Sequence, residues 1–544
     1  MSNPPTWDSA PAERLDPTLD HVLVNGTVVT MEHHDSAAEA LIVRDRRILA
    51  VGSSRDMLDR AGPRARVTDL SKSVVIPGLI DSHVHLENAE NFDRRLDGTR
   101  SPAEMVPRIR EFVRDRDVDD WIYASAEIEG DWLTGSVVEQ AVPDRPMAIA
   151  FSGGRYALNK LATADLHLGL AHAEGAEIRY DPDGLGTAVV RTPGEDRLKR
   201  LLPSVSLYNE RTVEIGVRAG MRALAASGVT TAHHIVRDPL PARVYQRLEA
   251  SGELQTRIGL IPRVWESDIT LEALVELGVA QPFGSDMIRF QGAKVSVDGY
   301  FLAGTARFSE PYSGSEDNVG IFRCQPEQLQ QLLIDAQRAG IRMCLHANGD
   351  VATDACLDAI ENAAATVGQR DLRHRIEHFG NLMCTDQQLA RIKASGAVAV
   401  PNPSFMHQEV QYAADALGAE RASQPLPLRR ILDAGVATIA GSDYVGDRVC
   451  PEQPLGGIGA LVTRMGPDGK LYAEDQRLSA YEALELYTSK AAWAAFEDQE
   501  RGTITAGKFA DLTILAGNPL ETNGREIASI PVLGTFVGGV RQQA

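Results

Sequence analysis

The chain has 544 residues, of which 43% are hydrophobic, 24% charged and 6% aromatic, and this composition excludes a disordered, collagenous or disulfide-rich protein. Asp and Glu number 75 against 55 Lys and Arg, so the net charge of −20 excludes a chain-wide basic surface for nucleic acid or anionic lipid. Five cysteines without a CxxC pair, no apolar stretch near ~18 residues and a polar N-terminus predict a cytoplasmic protein.

The two ends of the chain are rich in short β-like segments. Residues 1–19 are polar and proline-rich, so we predict a flexible tail there. Residues 20–75 contain Val- and Ile-rich runs that are broken by turn sequences such as Asn25-Gly26, a pattern typical of short antiparallel strands. Residues 500–544 return to the same pattern, with glycine turns. Together the two segments predict one composite, discontinuous β-sandwich domain.

Residues 76–499 alternate short β-branched runs with helical stretches. The candidate strands of this part are residues 74–81, 229–236, 257–264, 287–297, 341–348, 373–380, 397–405 and 436–445. Several of the stretches between them show an apolar stripe near the 3.6-residue period and end in a glycine. Eight such units predict an α/β fold, a (β/α)8 TIM-type barrel with functional side chains at the C-terminal ends of its strands. An open doubly wound sheet fits less well, because no glycine-rich phosphate loop follows the first strand.

One interval is too long for an ordinary connection within a barrel. Residues 90–210 separate the first two candidate strands, whereas βα connections usually have about 2–6 residues. We predict that this interval is a subdomain inserted between strands 1 and 2, which covers the barrel mouth as a lid. Its Trp132 is a candidate substrate contact, although aromatic residues in a long insertion more often build its own core.

Polar residues interrupt the ends of the candidate strands. His83 and His85 lie two positions apart, so on an extended chain their imidazoles point the same way and can bind one ion. Further candidates at later strand ends are Lys294, His346, His378 and Asp443. Imidazoles and a carboxylate are the ligands that a hydrolytic Zn²⁺ needs. A lysine can join them only when it is deprotonated or carboxylated.

Each of these residues also has a purely structural interpretation. A lone His-x-His pair is weak evidence, a single buried histidine is commonly satisfied by the backbone, and Asp443 could cap the following segment. Their joint position favours a metal centre, because each later candidate lies at the end of a different predicted strand.

Several phrases of the sequence resemble the amidohydrolase superfamily, and its amidohydrolase-3 branch in particular. The matching phrases are VIPGLIDSHVHLE, SGVTTAHH, KVSVDG, LHANGD, RIEHFG, AGSDY and GTITAGKFADLTIL. This branch comprises the YtcJ-like proteins, which include N-substituted formamide deformylases. The resemblance covers nearly the whole chain from about residue 20.

The resemblance implies a metal-dependent enzyme that acts mostly on carbon–nitrogen bonds. It assigns metal-ligand roles to His83, His85, His346, His378 and Asp443. It also assigns Lys294 as a ligand in carboxylated form. One or two Zn²⁺ ions, or another divalent metal, would activate a water molecule for attack on a carbonyl carbon. Asp443 would also move the proton, and His346, His378 or His407 could stabilise the oxyanion. Opening of a lactone or ester, decarboxylation and a catalytically silent binding protein remain alternatives.

The substrate side of the site departs from the relatives. The branch usually carries a His and a Trp in a phrase where this chain reads Gly-Gly-Arg155-Tyr156-Ala-Leu-Asn, so Arg155 or Tyr156 could replace those contacts. Phe301, His407 and Tyr444 lie just beyond strand ends and could also contact the substrate. His233 and His234 end the second candidate strand, where they could support metal ligands or serve the core. We expect a small-molecule substrate, no nucleic acid or membrane partner, and a homodimer.

Overall fold

The structure is a computed structural model. It describes residues 19–34, 36–86, 96, 98–114, 122–126, 132–151, 155–165, 177–180, 186–189, 210–265, 267, 269–445 and 454–543. Nearly all of the predicted flexible tail, residues 1–19, therefore lies outside the described residues, as does about half of the predicted lid, residues 90–210.

The two ends of the chain meet in β-structure. One sheet contains the strands His21–Val24, Ala40–Arg44, Arg47–Gly52 and Arg66–Asp69. A second sheet contains Thr27–Val29, Ala37–Ala38, Val74–Pro77, Leu512–Leu515, Val532–Val537 and Val540–Arg541. Leu512 pairs with Pro77 in antiparallel register, so strands from both ends of the chain share this sheet. Leu23 and Leu41 of the first sheet pack in one apolar cluster with Val75 and Ile514 of the second.

The inserted interval forms a sheet with a core of its own. Its described strands are Ile122–Ala126, Met147–Phe151, Arg155–Leu158, Glu177–Tyr180 and Gly186–Val189. Its described helices are Pro102–Arg114, Gly135–Ala141 and Lys160–Asp165. Met105, Ile109 and Phe112 recur at helical spacing on the first of these helices, and all three are buried against the sheet's apolar residues.

Parallel strands carry most of the predicted strand-end residues. One sheet has the strand order Phe283–Gly284, Ile288–Phe290, Arg257–Pro262, Val229–Val236, Leu79–His85, Tyr444–Val445. The other has the order Ala293–Ser296, Met343–His346, Arg375–Glu377, Val398–Val400. Every residue of Val229–Val236 is buried, as expected for a parallel strand that is covered on both faces.

The remaining helices connect or flank these strands. The described ones are Ser54–Arg60, Glu210–Ala226, Leu240–Ser251, Leu271–Glu276, Pro326–Ala339, Asp350–Val367, Asp386–Ser395, Phe405–Gln408, Val410–Leu417, Leu428–Asp433, Pro454–Thr463, Ala480–Leu486 and Ser489–Ala494, with 3₁₀ turns at Glu474–Gln476 and Gly524–Ser529. Pro326–Ala339 and Asp386–Ser395 end at Gly340 and Gly396, which adopt left-handed backbone at φ 75° and 71°. In the described part of the chain, no helix is both long and apolar enough to cross a membrane.

The α/β class is confirmed, whereas a single closed barrel sheet is not. The parallel strands form two sheets. An isolated parallel bridge at Arg263–Lys294 joins them, and another at Ala399–Thr438 pairs the second sheet with the segment before Tyr444–Val445. The candidate strand 287–297 is interrupted in the structure, because Gly292 adopts φ 130° and comes so close to Arg342 that an added Cβ would lie 2.9 Å from its carbonyl oxygen. The candidate strand 436–445 is likewise reduced to Tyr444–Val445 and the Thr438 bridge.

Candidate metal centre

The His-x-His pair lies at the end of the strand Leu79–His85, beside Asp443. Nε2 of His83 and Nε2 of His85 each lie 3.4 Å from Oδ1 of Asp443. The backbone N–H of Asp443 donates to the carbonyl oxygen of His83 at 2.9 Å, so the two chain segments are in direct register. Both imidazoles therefore approach the same carboxylate, as the alternation of side chains along a strand predicts.

Three residues form a compact group of metal-binding atoms. One ligand atom from each of His83, His378 and Asp443 lies within 4.8 Å of the others. Zinc binds nitrogen and oxygen ligands at about 2.0–2.2 Å, so ligand atoms this close together can share one ion. Two imidazoles and one carboxylate are a donor set that suits a catalytic divalent metal with an open position.

Hydrogen bonds orient both imidazoles of this group. Nδ1 of His83 lies 2.7 Å from Oε2 of Glu377, and Nδ1 of His378 lies 2.7 Å from the amide oxygen Oδ1 of Asn402. Both oxygens can only accept, so each Nδ1 carries the proton and leaves Nε2 with a lone pair. Burial lowers the pKa of His83 to about 3 and also lowers that of His378, so both rings are neutral, as metal binding requires.

Lys294 lies directly against the group. Its Nζ is 3.3 Å from Nε2 of His83, and the side chain is buried. Burial lowers the pKa of Lys294 to about 8, although Glu377 and Asp443 favour the charged form. The predicted lysine therefore lies where a ligand would lie, with an amine that loses its proton more readily than an exposed lysine does.

His346 adjoins the group without belonging to it. Its ring centroid is 4.5 Å from that of His378, but its Nε2 lies 3.1 Å from the carbonyl oxygen of Gly299 and 3.1 Å from Nδ2 of Asn348. To act on a metal or on a reacting oxygen, Nε2 of His346 would have to leave the Gly299 carbonyl.

Asp443 is held by a buried turn. The Asp81 carboxylate accepts the backbone N–H of Ser442 at 2.9 Å, the Ser442 hydroxyl at 2.6 Å and the backbone N–H of His83 at 3.3 Å. Asp443 itself adopts φ 55° and His378 adopts φ 69°, a left-handed conformation that non-glycine residues rarely take. Burial alone would raise the pKa of Asp443, but a hydrogen bond from His85 favours the ionised carboxylate, and the pKa lies well below its usual range.

The predicted substrate contacts have different surroundings. Phe301 and Tyr444 are both buried, and the Phe301 ring packs 5.7 Å from that of Phe405. Nε2 of His407 lies 3.0 Å from the carbonyl oxygen of Gly456. Trp132 packs against the core of the inserted sheet. The backbone of Arg155 and Tyr156 belongs to a described strand, but their side chains lie outside the described residues.

The sequence interpretation missed Glu377, Arg375, Asp81, Asn402 and Tyr300. Glu377 and Arg375 lie in the same strand and are completely buried, with an Nε–Oε1 distance of 2.7 Å. Tyr300 follows Gly299, whose carbonyl oxygen lies 3.1 Å from Nε2 of His346, and its side chain is exposed. The one signal for Glu377 was its position next to His378 at a predicted strand end.

The two histidines of the second strand have separate roles. Nδ1 of His233 accepts from Nη1 of Arg375 at 3.1 Å, which links His233 to the ion pair beneath His83. Nε2 of His234 accepts the backbone N–H of Leu86 at 3.0 Å, and its Nδ1 lies 2.7 Å from the Tyr245 hydroxyl. His233 is therefore linked to the site through Arg375, whereas His234 binds the backbone of Leu86, next to His85.

Comparison with known sequences gives one family and several full-length relatives. The sequence model of the amidohydrolase family matches residues 66–541. Protein LONG AFTER FAR-RED 3 from Arabidopsis thaliana is 29% identical, over 96% of this chain and 91% of its own. Putative amidohydrolase YtcJ from Bacillus subtilis is 25% identical, over 94% of this chain and 97% of its own. N-substituted formamide deformylase from Arthrobacter pascens is 26% identical, over 96% of this chain and 98% of its own.

A solved structure shares the fold. The crystal structure of an uncharacterized metal-dependent hydrolase from Pyrococcus furiosus superposes with a TM-score of 0.75. It covers 92% of this chain and 100% of its own at 23% sequence identity. At this level of sequence identity, the likeness shows a shared fold.

Proposed function

Because the chain belongs to the amidohydrolase family, in its YtcJ-like branch, we propose that it hydrolyses a carbon–nitrogen bond of a small amide, an N-substituted formamide or a related compound. The observation that carries the proposal is the group formed by His83, His378 and Asp443, whose ligand atoms lie within 4.8 Å of one another. The relative that acts on N-substituted formamides supports the substrate class.

We propose that His83, His378 and Asp443 hold the principal divalent ion, Zn²⁺, with His85, Lys294 and His346 available to complete its coordination or to hold a second ion. When bound, such an ion supplies Lewis acidity, which makes a coordinated water more acidic and polarises a carbonyl oxygen. The neutral imidazoles and the ionised carboxylate match this role, since both keep lone pairs for the metal.

The chain's own residues then move the proton and orient the substrate. Asp443, ionised between three imidazoles, accepts a proton from the attacking water and returns it to the leaving nitrogen, which otherwise departs as an unfavourable anion. The hydrogen bond to Asn402 fixes the His378 ring beside Asp443. His346 donates to the developing oxyanion once its Nε2 leaves the Gly299 carbonyl. Phe301, Tyr444, His407, Trp132, Arg155 and Tyr156 are the proposed substrate contacts.

We also propose how the sheets of the protein are arranged into domains. The bridges at Arg263–Lys294 and Ala399–Thr438 support one (β/α)8 barrel made from the two parallel sheets. The shared sheet of the chain ends supports a composite β-sandwich of residues 20–75 and 500–544, with 90–210 as the lid. The flexible tail, the homodimer and the cytoplasmic location stay predictions.

A substrate panel tests the proposed bond class. N-substituted formamides and formate esters with matched leaving groups would be offered to the protein before and after removal of metal by a chelator. We expect higher kcat/KM for the formamides, loss of turnover on chelation and recovery when Zn²⁺ is added. Turnover of the esters alone would favour the lactone or ester alternative. No turnover by metal-loaded protein would favour a binding protein.

Lys294 is expected to carry carbon dioxide as a carbamate. Its buried amine, with a pKa of about 8, has a larger neutral fraction at pH 8 than an exposed lysine and can form the N–C bond with release of a proton. Metal-loaded protein prepared in ¹³C-bicarbonate should therefore show one carbamate resonance that is lost in Lys294→Met and kept in the exposed-site control Lys470→Met. A spectrum without this resonance would mean that Lys294 acts as an amine or ammonium.

A further inference from the structure

A buried carboxylate lies behind the first metal-binding imidazole. Glu377 is completely buried, and its Oε2 lies 2.7 Å from Nδ1 of His83. It comes from the strand Arg375–Glu377, which is in a different sheet from His83. Because a carboxylate can only accept, this contact selects the form of His83 that carries its proton on Nδ1. The lone pair of Nε2 then points toward Lys294 and Asp443.

The same carboxylate is also paired with a buried arginine. Nε of Arg375 lies 2.7 Å from Oε1 of Glu377, and Nη2 of Arg375 donates to Oε2 at 3.0 Å. Oε2 of Glu377 therefore faces both His83 and Arg375, and Oε1 lies against the Arg375 guanidinium. The pairing also keeps Glu377 ionised inside the protein, where an unpaired carboxylate would take up a proton.

Arg375 fixes this arrangement to two further strands. Its Nη2 donates to the carbonyl oxygen of Ser82 at 2.5 Å, next to His83 in sequence. Its Nη1 donates to Nδ1 of His233 at 3.1 Å. One guanidinium thus holds the strands of His83, His233 and Glu377 in a fixed relation.

We propose that Glu377, held by Arg375, is a positioning residue that fixes the tautomer and orientation of His83 and so sets the affinity of the site for its metal. The inference rests on the proposed function, because it requires that His83 binds a metal. Carboxylates behind metal-binding histidines typically change metal affinity or activity about 10–100-fold when they are removed.

Metal affinity of Glu377→Gln gives the first test. The Kd of Zn²⁺ would be measured by competition with a chromogenic chelator, and the visible spectrum of the Co²⁺ form would report coordination geometry. We expect a Kd about 10–100-fold higher than in the parental protein and an altered Co²⁺ spectrum. Asp511→Asn is the matched control, because Asp511 is also buried and bonded to a buried arginine, Arg257, at 2.8 and 2.9 Å.

The outcomes separate this inference from the proposed function. Parental protein that binds no Zn²⁺ would contradict the proposed function. Parental protein that binds Zn²⁺ with the same Kd as Glu377→Gln would overturn the inference alone, as would an equal loss in Asp511→Asn. A neutron diffraction map of the parental protein needs no variant: deuterium on Nδ1 of His83, facing Glu377, is the expected result, and deuterium on Glu377 or on Nε2 would overturn the inference.

Discussion

Asp443→Asn is expected to lower kcat by about 10²–10⁴ with a much smaller change in KM. Oδ1 of Asp443 lies 3.4 Å from Nε2 of both His83 and His85, so the carboxylate lies beside the proposed metal ligands and would accept a proton from a water held there. Asparagine keeps the size of the side chain and one oxygen ligand, but it cannot accept the proton. The chemical step is therefore lost while substrate binding is kept.

Steady-state kinetics on a formamide substrate would measure this effect, with the metal content of each preparation determined in parallel. Asp354→Asn is the control, because Asp354 is also a partly buried acid but contacts Gln388 and Arg391 on the helical surface. Its kcat should stay near the parental value. A metal-loaded Asp443→Asn protein with near-parental kcat would assign proton transfer to another group, with His378 or His346 as the next candidates.

The second large effect is expected from the double variant His83→Ala/His85→Ala. Removal of both imidazoles leaves Asp443, His378 and Lys294 without the partners that complete the donor set, so bound metal and turnover should both fall to background. The fold should persist, because Glu377, which loses its contact with His83, keeps its partner Arg375. Elemental analysis, turnover and circular dichroism would measure the three quantities.

A variant of two surface histidines of the same chain is the control for adventitious metal binding. His33 and His34 are adjacent and exposed, so His33→Ala/His34→Ala removes two imidazoles far from the candidate centre in sequence. This variant should keep its metal and its turnover. Parental metal content in the His83/His85 variant would show that the ion binds elsewhere.

The sequence predicted the features of the site that depend on local periodicity. Alternation along one strand placed His83 and His85 on the same side, and both reach Asp443. Lys294 and His378 were expected at strand ends, and both lie against His83, with an Nζ–Nε2 distance of 3.3 Å and a ring separation of 5.1 Å. The helices that end at Gly340 and Gly396 were predictable for the same reason.

What the sequence could not supply depends on contacts between distant strands. Glu377 is 294 positions from His83, and its one local signal, its place beside His378 at a predicted strand end, does not reveal that contact. The left-handed backbone at His378 and Asp443 could not be located from the sequence either, because histidine and aspartate adopt this conformation at only a small share of their positions. Gly292 interrupts a predicted strand through its close approach to Arg342, which only the folded chain reveals.

The central claim is that His83, His378 and Asp443 share a catalytic metal. Anomalous diffraction from crystals of the metal-loaded protein, collected on both sides of the zinc absorption edge, would test it most directly. The account predicts an anomalous peak within bonding distance of Nε2 of His83, Nε2 of His378 and a carboxylate oxygen of Asp443. A fully loaded crystal whose zinc peaks all lie away from these three atoms would contradict it.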